Sequence, residues 1–358
     1  MRAFQSRPRL RWIIPAVAAA ALVAGGAVAG TAVAEPSLPE RSAEQLVAEV
    51  AQTRPTQFSG TAETRAELGL PALPGSRRGS DFEALLAGKN TIRVWAGNED
   101  QSRLAVQGTF GESDLIRNGS DVWLWNSQEK TAVHSTISDR GERPSDEPAL
   151  TPQQLAAEAI AAIEPTTEVS VARNVTVAGR AAYELVLQPK DDRSLIEQVR
   201  IAVDGERFLP LRVQVYGEGA DQPSVEAAFT QIDFSAPDPS VFDFTPPPGT
   251  DVKREPTDRN EKPARPDHDK NAKRDRGSKD AGEPTVIGKG WTAVYLADGG
   301  DAGELTDNAT LEALPRVSGA WGSGRLFSSR LVSAVITDDG RVAAGAVRPE
   351  VLYDALGR

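Results

Sequence analysis

Two histidines, His134 and His268, and a complete absence of cysteine bound the chemistry open to this 358-residue chain. Without cysteine there are no disulfides, thiolate nucleophiles, iron–sulfur clusters or Cys-rich zinc sites. A general base of the His type, or a His metal site, has to use one of those two residues. His268 lies in a run of charged residues with almost no apolar partner. His134 lies in Lys-Thr-Ala-Val-His-Ser-Thr, where alternation makes it a strand residue with a structural role. A hydrolase built on His134 is the least favoured reading. Asp191-Asp192 and Asp338-Asp339 adjoin Lys or Gly and read as turn acids rather than metal ligands. Neither G-x-S-x-G nor a P-loop occurs, and Gly288-Lys289-Gly290 lacks the continuation of a dinucleotide fingerprint. The stretch from Trp321 to Arg325, WGSGR, reads as a Gly-rich turn ahead of a strand rather than a hydrolase elbow. The expectation is a non-enzymatic protein with no cofactor and no metal.

The positioning elements follow from patterning. Ser42-x-x-Gln45 is a capping box ahead of Leu46, Val47 and Val50, so a helix starts there. QFSGTAETR then alternates as a strand, and Ser80-x-x-Glu83 caps a short helix that ends at Gly88. From 90 to 136 the chain reads as a strand meander, with Asn118-Gly119 marking a hairpin. Thr151-Pro152 opens a second helix carrying Leu155, Ala159, Ile160 and Ile163 on one side. Strands resume after it, Asp204-Gly205 making a turn between two of them, and SVFDF alternates as a last strand before three prolines. This is an α+β pattern, a large curved antiparallel sheet with its helices on one face. Residues 284–358 form a smaller α+β unit: a strand GWTAVYLAD, a hairpin turning at Asp339-Gly340, and a helix opened by Pro349. Its size favours docking on the first unit.

Residues 1–34 read as an export signal. Arg2, Arg7, Arg9 and Arg11 precede 23 uncharged residues, Trp12 to Ala34, and Ala32-Val33-Ala34 fits a cleavage site. The run is long enough to span a bilayer if retained, but its Ala and Gly content favours cleavage over anchoring. The chain beyond it is expected outside the cytoplasm, either secreted or held at the cell envelope. Withdrawing those four arginines takes the formal charge from −11 to −15, which disfavours nucleic acid and anionic membranes as partners. The first globular unit spans 35–250. Residues 251–283 hold ten basic and nine acidic side chains and few apolar ones, the composition of a disordered charged linker.

Four stretches resemble the bacterial lipoprotein-carrier superfamily of LolA, LolB and LppX types. QFSGTAET (57–64) is similar to its first strand, and DLIRNGSDVWLWNSQEKTAV (114–133) to its central hairpin. IAVDGERFLPLRVQVYGE (201–218) and VFDFTPPPGTDV (241–252) are similar to its later segments in wording, spacing and order. The resemblance covers roughly 40–252 and implies an unclosed β-barrel, a curved sheet around an apolar cavity under a helical lid. It implies a non-catalytic protein that binds a lipid or the acyl chain of a lipoprotein.

A second unit after a linker resembles RseB-type regulators. That likeness implies a membrane anti-sigma factor as partner and a role in sensing envelope lipid stress; a membrane transporter is the other expected partner. The Ala/Arg/Gly-rich composition points to a high-GC, actinobacterium-like source, in which delivery to an outer membrane is not expected. Phe58, Trp95, Trp123 and Trp125, with lid residues Leu155 and Ile160, form the expected ligand-cavity set. In Asp121–Asn126 alternation puts Trp123 and Trp125 on one face and Val122 and Leu124 on the other.

Overall fold

The computed structural model describes residues 36–53, 57–69, 88–108, 111–137, 165–254, 285–298 and 312–357. The expected helices at 80–87 and 151–163, with Leu155 and Ile160, and residues 255–283 of the expected linker lie outside the described residues.

Helix α1 (Ala43–Gln52) begins where the capping box places it. Gln45 N donates to Ser42 Oγ at 3.2 Å, and Ser42 N donates to Gln45 Oε1 at 3.0 Å. The strands that follow are β1 (Phe58–Ala66), β2 (Gly88–Ala96), β3 (Gln101–Gln107), β4 (Glu112–Asn118), β5 (Asp121–Asn126) and β6 (Thr131–Thr136). After them come β7 (Thr167–Val171), β8 (Val175–Val177), β9 (Arg180–Pro189), β10 (Ile196–Asp204), β11 (Pro210–Gly217), β12 (Val225–Asp233) and β13 (Asp251–Arg254). They form one unclosed sheet in the order β13-β6-β5-β4-β3-β2-β1-β12-β11-β10-β9-β7, with β8 on β9. All pairs are antiparallel except β13 on β6.

Turn chemistry sets the registers. Asn118 pairs with Asp121 across Gly119-Ser120, and Gly119 takes φ +64°. At the turn between β10 and β11, Asp204 is fully buried and accepts from the N–H groups of Glu206 (3.1 Å) and Arg207 (2.7 Å). Arg180 grips the same carboxylate through Nε and, at 3.1 Å, through Nη2. Burial works to raise the Asp204 pKa, but these donors outweigh it and hold it below the usual carboxylate range.

One face of β9–β12 carries the main core. Tyr183, Leu185, Val199, Ile201, Val203, Val213 and Ala227 pack against Ala43 and Leu46 of α1, with Val47 and Val50 alongside.

Two expectations change at the closing segment. SVFDF is not a strand: Pro239–Phe242 is a short 3-10 helix. Asp238 caps it, its side chain accepting from Ser240 N at 2.9 Å, and Pro239 presets the first turn. The sheet also continues past residue 250, because Asp251–Arg254 pairs with Thr131–His134. The three prolines, which have no N–H to donate, form the bridge between helix and strand rather than the end of the unit.

The small unit is a sheet in the order β14-β15-β19-β18-β17-β16 under helix α2 (Pro349–Leu356). Its strands are β14 (Thr285–Ile287), β15 (Val294–Asp298), β16 (Arg316–Gly319), β17 (Gly322–Ser328), β18 (Ser333–Thr337) and β19 (Arg341–Gly345). The expected strand GWTAVYLAD is in part a 3-10 turn, Gly290–Thr292, ahead of β15. The core is Val294, Trp321, Val335, Ala343, Val347, Leu352 and Leu356. This unit docks on the large sheet, Leu195 N donating to Ala346 O (2.9 Å) and Arg348 N to Arg193 O (3.0 Å). Trp291 Nε1 donates to Thr167 Oγ1 at 2.7 Å.

Candidate ligand-binding site

Directly paired residues share a sheet face, so the registers assign every side chain. Thr64 pairs with Ala227 of the α1-packed core on one side and with Asn90 on the other. Ile92 and Val94 therefore point to the side that α1 occupies. From Val94 the register runs straight across the sheet: Val94 to Leu104, Leu104 to Leu115, Leu115 to Leu124, Leu124 to Val133. Five apolar side chains stand in one row across β2–β6, a span of roughly 19 Å at ordinary strand spacing. The row lies on the side of α1 but beyond it, because α1 packs on β7 and β9–β12. Leu115 and Leu124 in its centre are 41% and 42% exposed. The parallel row starts with the fully buried Ile92 and Val106. The opposite flank is mixed, running Ala96, Ser102, Arg117, Val122 and Ser135. An apolar strip with polar side chains along its flank is a surface for an extended apolar chain.

The register places the tryptophans differently from the expected cavity set. Trp123 pairs with Ile116, Ile116 with Arg103, Arg103 with Trp95, and Trp95 with Ser59. Trp95, Trp123 and Trp125 therefore stand on the face turned away from α1. There the closing segment covers two of them: Phe244 lies 5.4 Å from the Trp123 ring and 6.0 Å from that of Trp125. Arg103 donates to Val241 O (3.2 Å) and Asn118 to Asp243 (3.0 Å), which pins that segment down. Phe58 sits apart at the start of β1, edge-on to Phe229 and Phe234. The structure thus keeps Trp123 and Trp125 together and separates Phe58 from them. His134 stacks on Trp123 at 4.3 Å and meets Asp121 Oδ1 at 2.7 Å, a cross-strand packing role.

The row itself was legible in the hairpin. A two-residue turn at Gly119-Ser120 fixes Leu115 opposite Leu124 by counting outward from the turn. Reading for the largest apolar residues selected the tryptophans of the other parity instead.

A second cleft, of about 590 Å³, opens where the small unit docks. Lys190, Asp191, Asp192 and Arg193 of the large unit face Lys289 and Trp291 of the small one across it. Arg193 and its own backbone N–H hold the Asp191 carboxylate down to about 2. Among the described residues no group of three or more His, Asp or Glu side chains could hold a metal ion. No described helix is long and apolar enough to cross a membrane.

No protein-family model matches the chain, and no curated protein does. The solved structures similar to it include MucB and a LolA superfamily protein. One is the Pseudomonas aeruginosa MucA/MucB complex, 15% identical over 88% of this chain and 96% of that one, at a TM-score of 0.45. Another is a LolA superfamily protein from Nitrosomonas europaea, 12% identical over 57% of this chain and 99% of that one, at a TM-score of 0.21. Likeness of this size carries no functional inference.

Proposed function

We propose that this is an exported, non-enzymatic protein that binds a lipid or the acyl chain of a lipoprotein along the helix-side face of its large sheet. The observation that carries the reading is the row Val94–Leu104–Leu115–Leu124–Val133, in register across five strands with its centre open to solvent. Apolar side chains half exposed in a continuous strip gain free energy when a chain covers them, at about 25 cal/mol per Å². The sequence stretches that resemble the lipoprotein-carrier superfamily support the same ligand class.

Native mass spectrometry of protein purified from its membrane lipids, followed by titration with a fluorescent fatty acid, tests it. The wild type should bind saturably. The double variant Leu115→Gln, Leu124→Gln should stay folded and lose affinity by about tenfold or more, roughly 1.4 kcal/mol. Absence of saturable uptake, or equal affinity in the variant, overturns the reading.

A second reading concerns what the small unit adds. Its docking onto the 193–195 segment and the cleft at that junction favour a regulator that engages a protein partner, with an anti-sigma-factor ectodomain as the RseB-like candidate. Pull-down of such an ectodomain by the wild type, lost in a variant whose units undock, supports it. Retention by the undocked variant counts against it.

A further inference from the structure

The face turned away from α1 carries a groove that the acyl-chain reading does not use. Its floor is Ser59 and Thr61 of β1. One wall is Arg93 and Trp95 of β2, and the other is Gln231 and Asp233 of β12. The registers set these six in two rows, Trp95–Ser59–Asp233 and Arg93–Thr61–Gln231. Small side chains between larger ones leave a cleft of about 260 Å³, its walls two strand spacings or roughly 10 Å apart.

We propose that this groove binds a polyhydroxylated anion, the chemistry of an acidic sugar. Two guanidinium groups lie over the Trp95 ring, Arg93 at 4.7 Å and Arg103 at 5.5 Å. Arg103 is already engaged by Asp114 (2.8 Å) and the Val241 carbonyl (3.2 Å). Arg93 is exposed and, among the described residues, makes no hydrogen bond or close ion pair, though it interacts electrostatically with the Glu112 carboxylate. The indole orients it by a cation–π contact and leaves its fork of donors free for a carboxylate or phosphate.

Across the floor stand groups suited to sugar hydroxyls. The Ser59 and Thr61 hydroxyls and the Gln231 amide donate and accept, and the Asp233 carboxylate accepts. Ser235 N donates to Asp233 Oδ1 at 2.8 Å and orients that carboxylate.

The backbone holds this arrangement in place. A β-bulge in β12 inserts Thr230 opposite the floor, and its hydroxyl donates to Thr61 O at 3.1 Å. Gly60, between the two floor residues, has the Phe229 ring and Gln231 O each 2.8 Å from where a Cβ would lie. β12 therefore approaches β1 closely at this point.

Titration of the full chain by tryptophan fluorescence and calorimetry tests the proposal. The probes are a galacturonate trisaccharide, maltotriose as its neutral counterpart, and inorganic phosphate. The acidic trisaccharide should bind saturably and tighter than either of the others by about tenfold or more. Arg93→Gln, at an exposed position, should keep the fold by circular dichroism and bind the acidic trisaccharide no more tightly than maltotriose. Trp95→Phe should remove the fluorescence response. No saturable binding of the acidic trisaccharide, phosphate alone binding as tightly, or an unaltered preference in Arg93→Gln each overturns it.

Discussion

Arg348 of the small unit and Glu218 of the large sheet form a two-nitrogen ion pair across the junction, with Arg348 Nε 3.1 Å from Glu218 Oε2. Val347 beside it is fully buried and bridges to Ser194. The exposed pair is screened by solvent and sets orientation more than strength. The flanking backbone hydrogen bonds hold the junction, and the valine, packed in the small unit's core, fixes the segment that makes them.

Val347→Asp should therefore unfold the small unit and release the junction with it, since the residue lies in that unit's core and burying an unpaired carboxylate there costs about 3 kcal/mol or more. Hydrogen exchange at the Leu195 and Arg348 amides should rise sharply. Arg348→Ala should raise it slightly, and less at high salt. Full protection of Leu195 in Val347→Asp would refute this account of the docking.

Asp204→Asn should destabilise the large unit by about 1–3 kcal/mol, because it weakens the buried acceptor of Arg180 and of two backbone N–H groups, while the partly exposed Arg180 keeps Glu206. The pH dependence follows from the sign of the shift. Asp204 has a lowered folded pKa, so its contribution is present above the unfolded value near 4 and is lost as pH falls through the lower folded value. Urea midpoints of the wild type should fall over that acid window, and those of Asp204→Asn should fall less. Parallel curves would show that Asp204 is not the group responsible.

The apolar strip should separate from the core by its energetics. Ile92→Ala, at a fully buried position, should cost about 2–4 kcal/mol. Leu124→Ala, at a side chain 42% exposed, should cost about 1 kcal/mol or less, its effect appearing in ligand affinity instead. Equal losses in chemical denaturation would make the strip ordinary core.

Phe244→Ala should uncover Trp123 and Trp125 and move tryptophan emission to longer wavelength, at a cost of about 1–3 kcal/mol for a half-buried ring. The same variant should leave fatty-acid affinity unchanged, because these rings lie on the face away from the strip. A loss of affinity without an emission shift would put them on the ligand side.

Much of this was written locally. Ser42 and Gln45 specified the start of α1, Gly119-Ser120 specified a hairpin and its register, and Pro349 specified the start of α2. Each signal acts within a few residues, through a side-chain cap or a preset backbone angle, so it survives without tertiary context. SVFDF misled because alternation records which side chains share a face, while Asp238-Pro239 fixes a helical turn that presents Phe242 and Phe244 to the sheet all the same.

By itself the sequence determined the starts of α1 and α2, the hairpin at Gly119-Ser120 and the parity of the strands that flank it. Only the tertiary structure decided which parity faces α1. A two-sided apolar strand such as Asp121–Asn126 buries either face with similar gain, so Leu124 and Trp123 were equivalent until distant packing chose between them. That choice was made by Leu46 settling on Leu185 and Ile201 rather than by anything within β5. It sends the leucine row to one side of the sheet and the tryptophans, with the Arg93 groove, to the other.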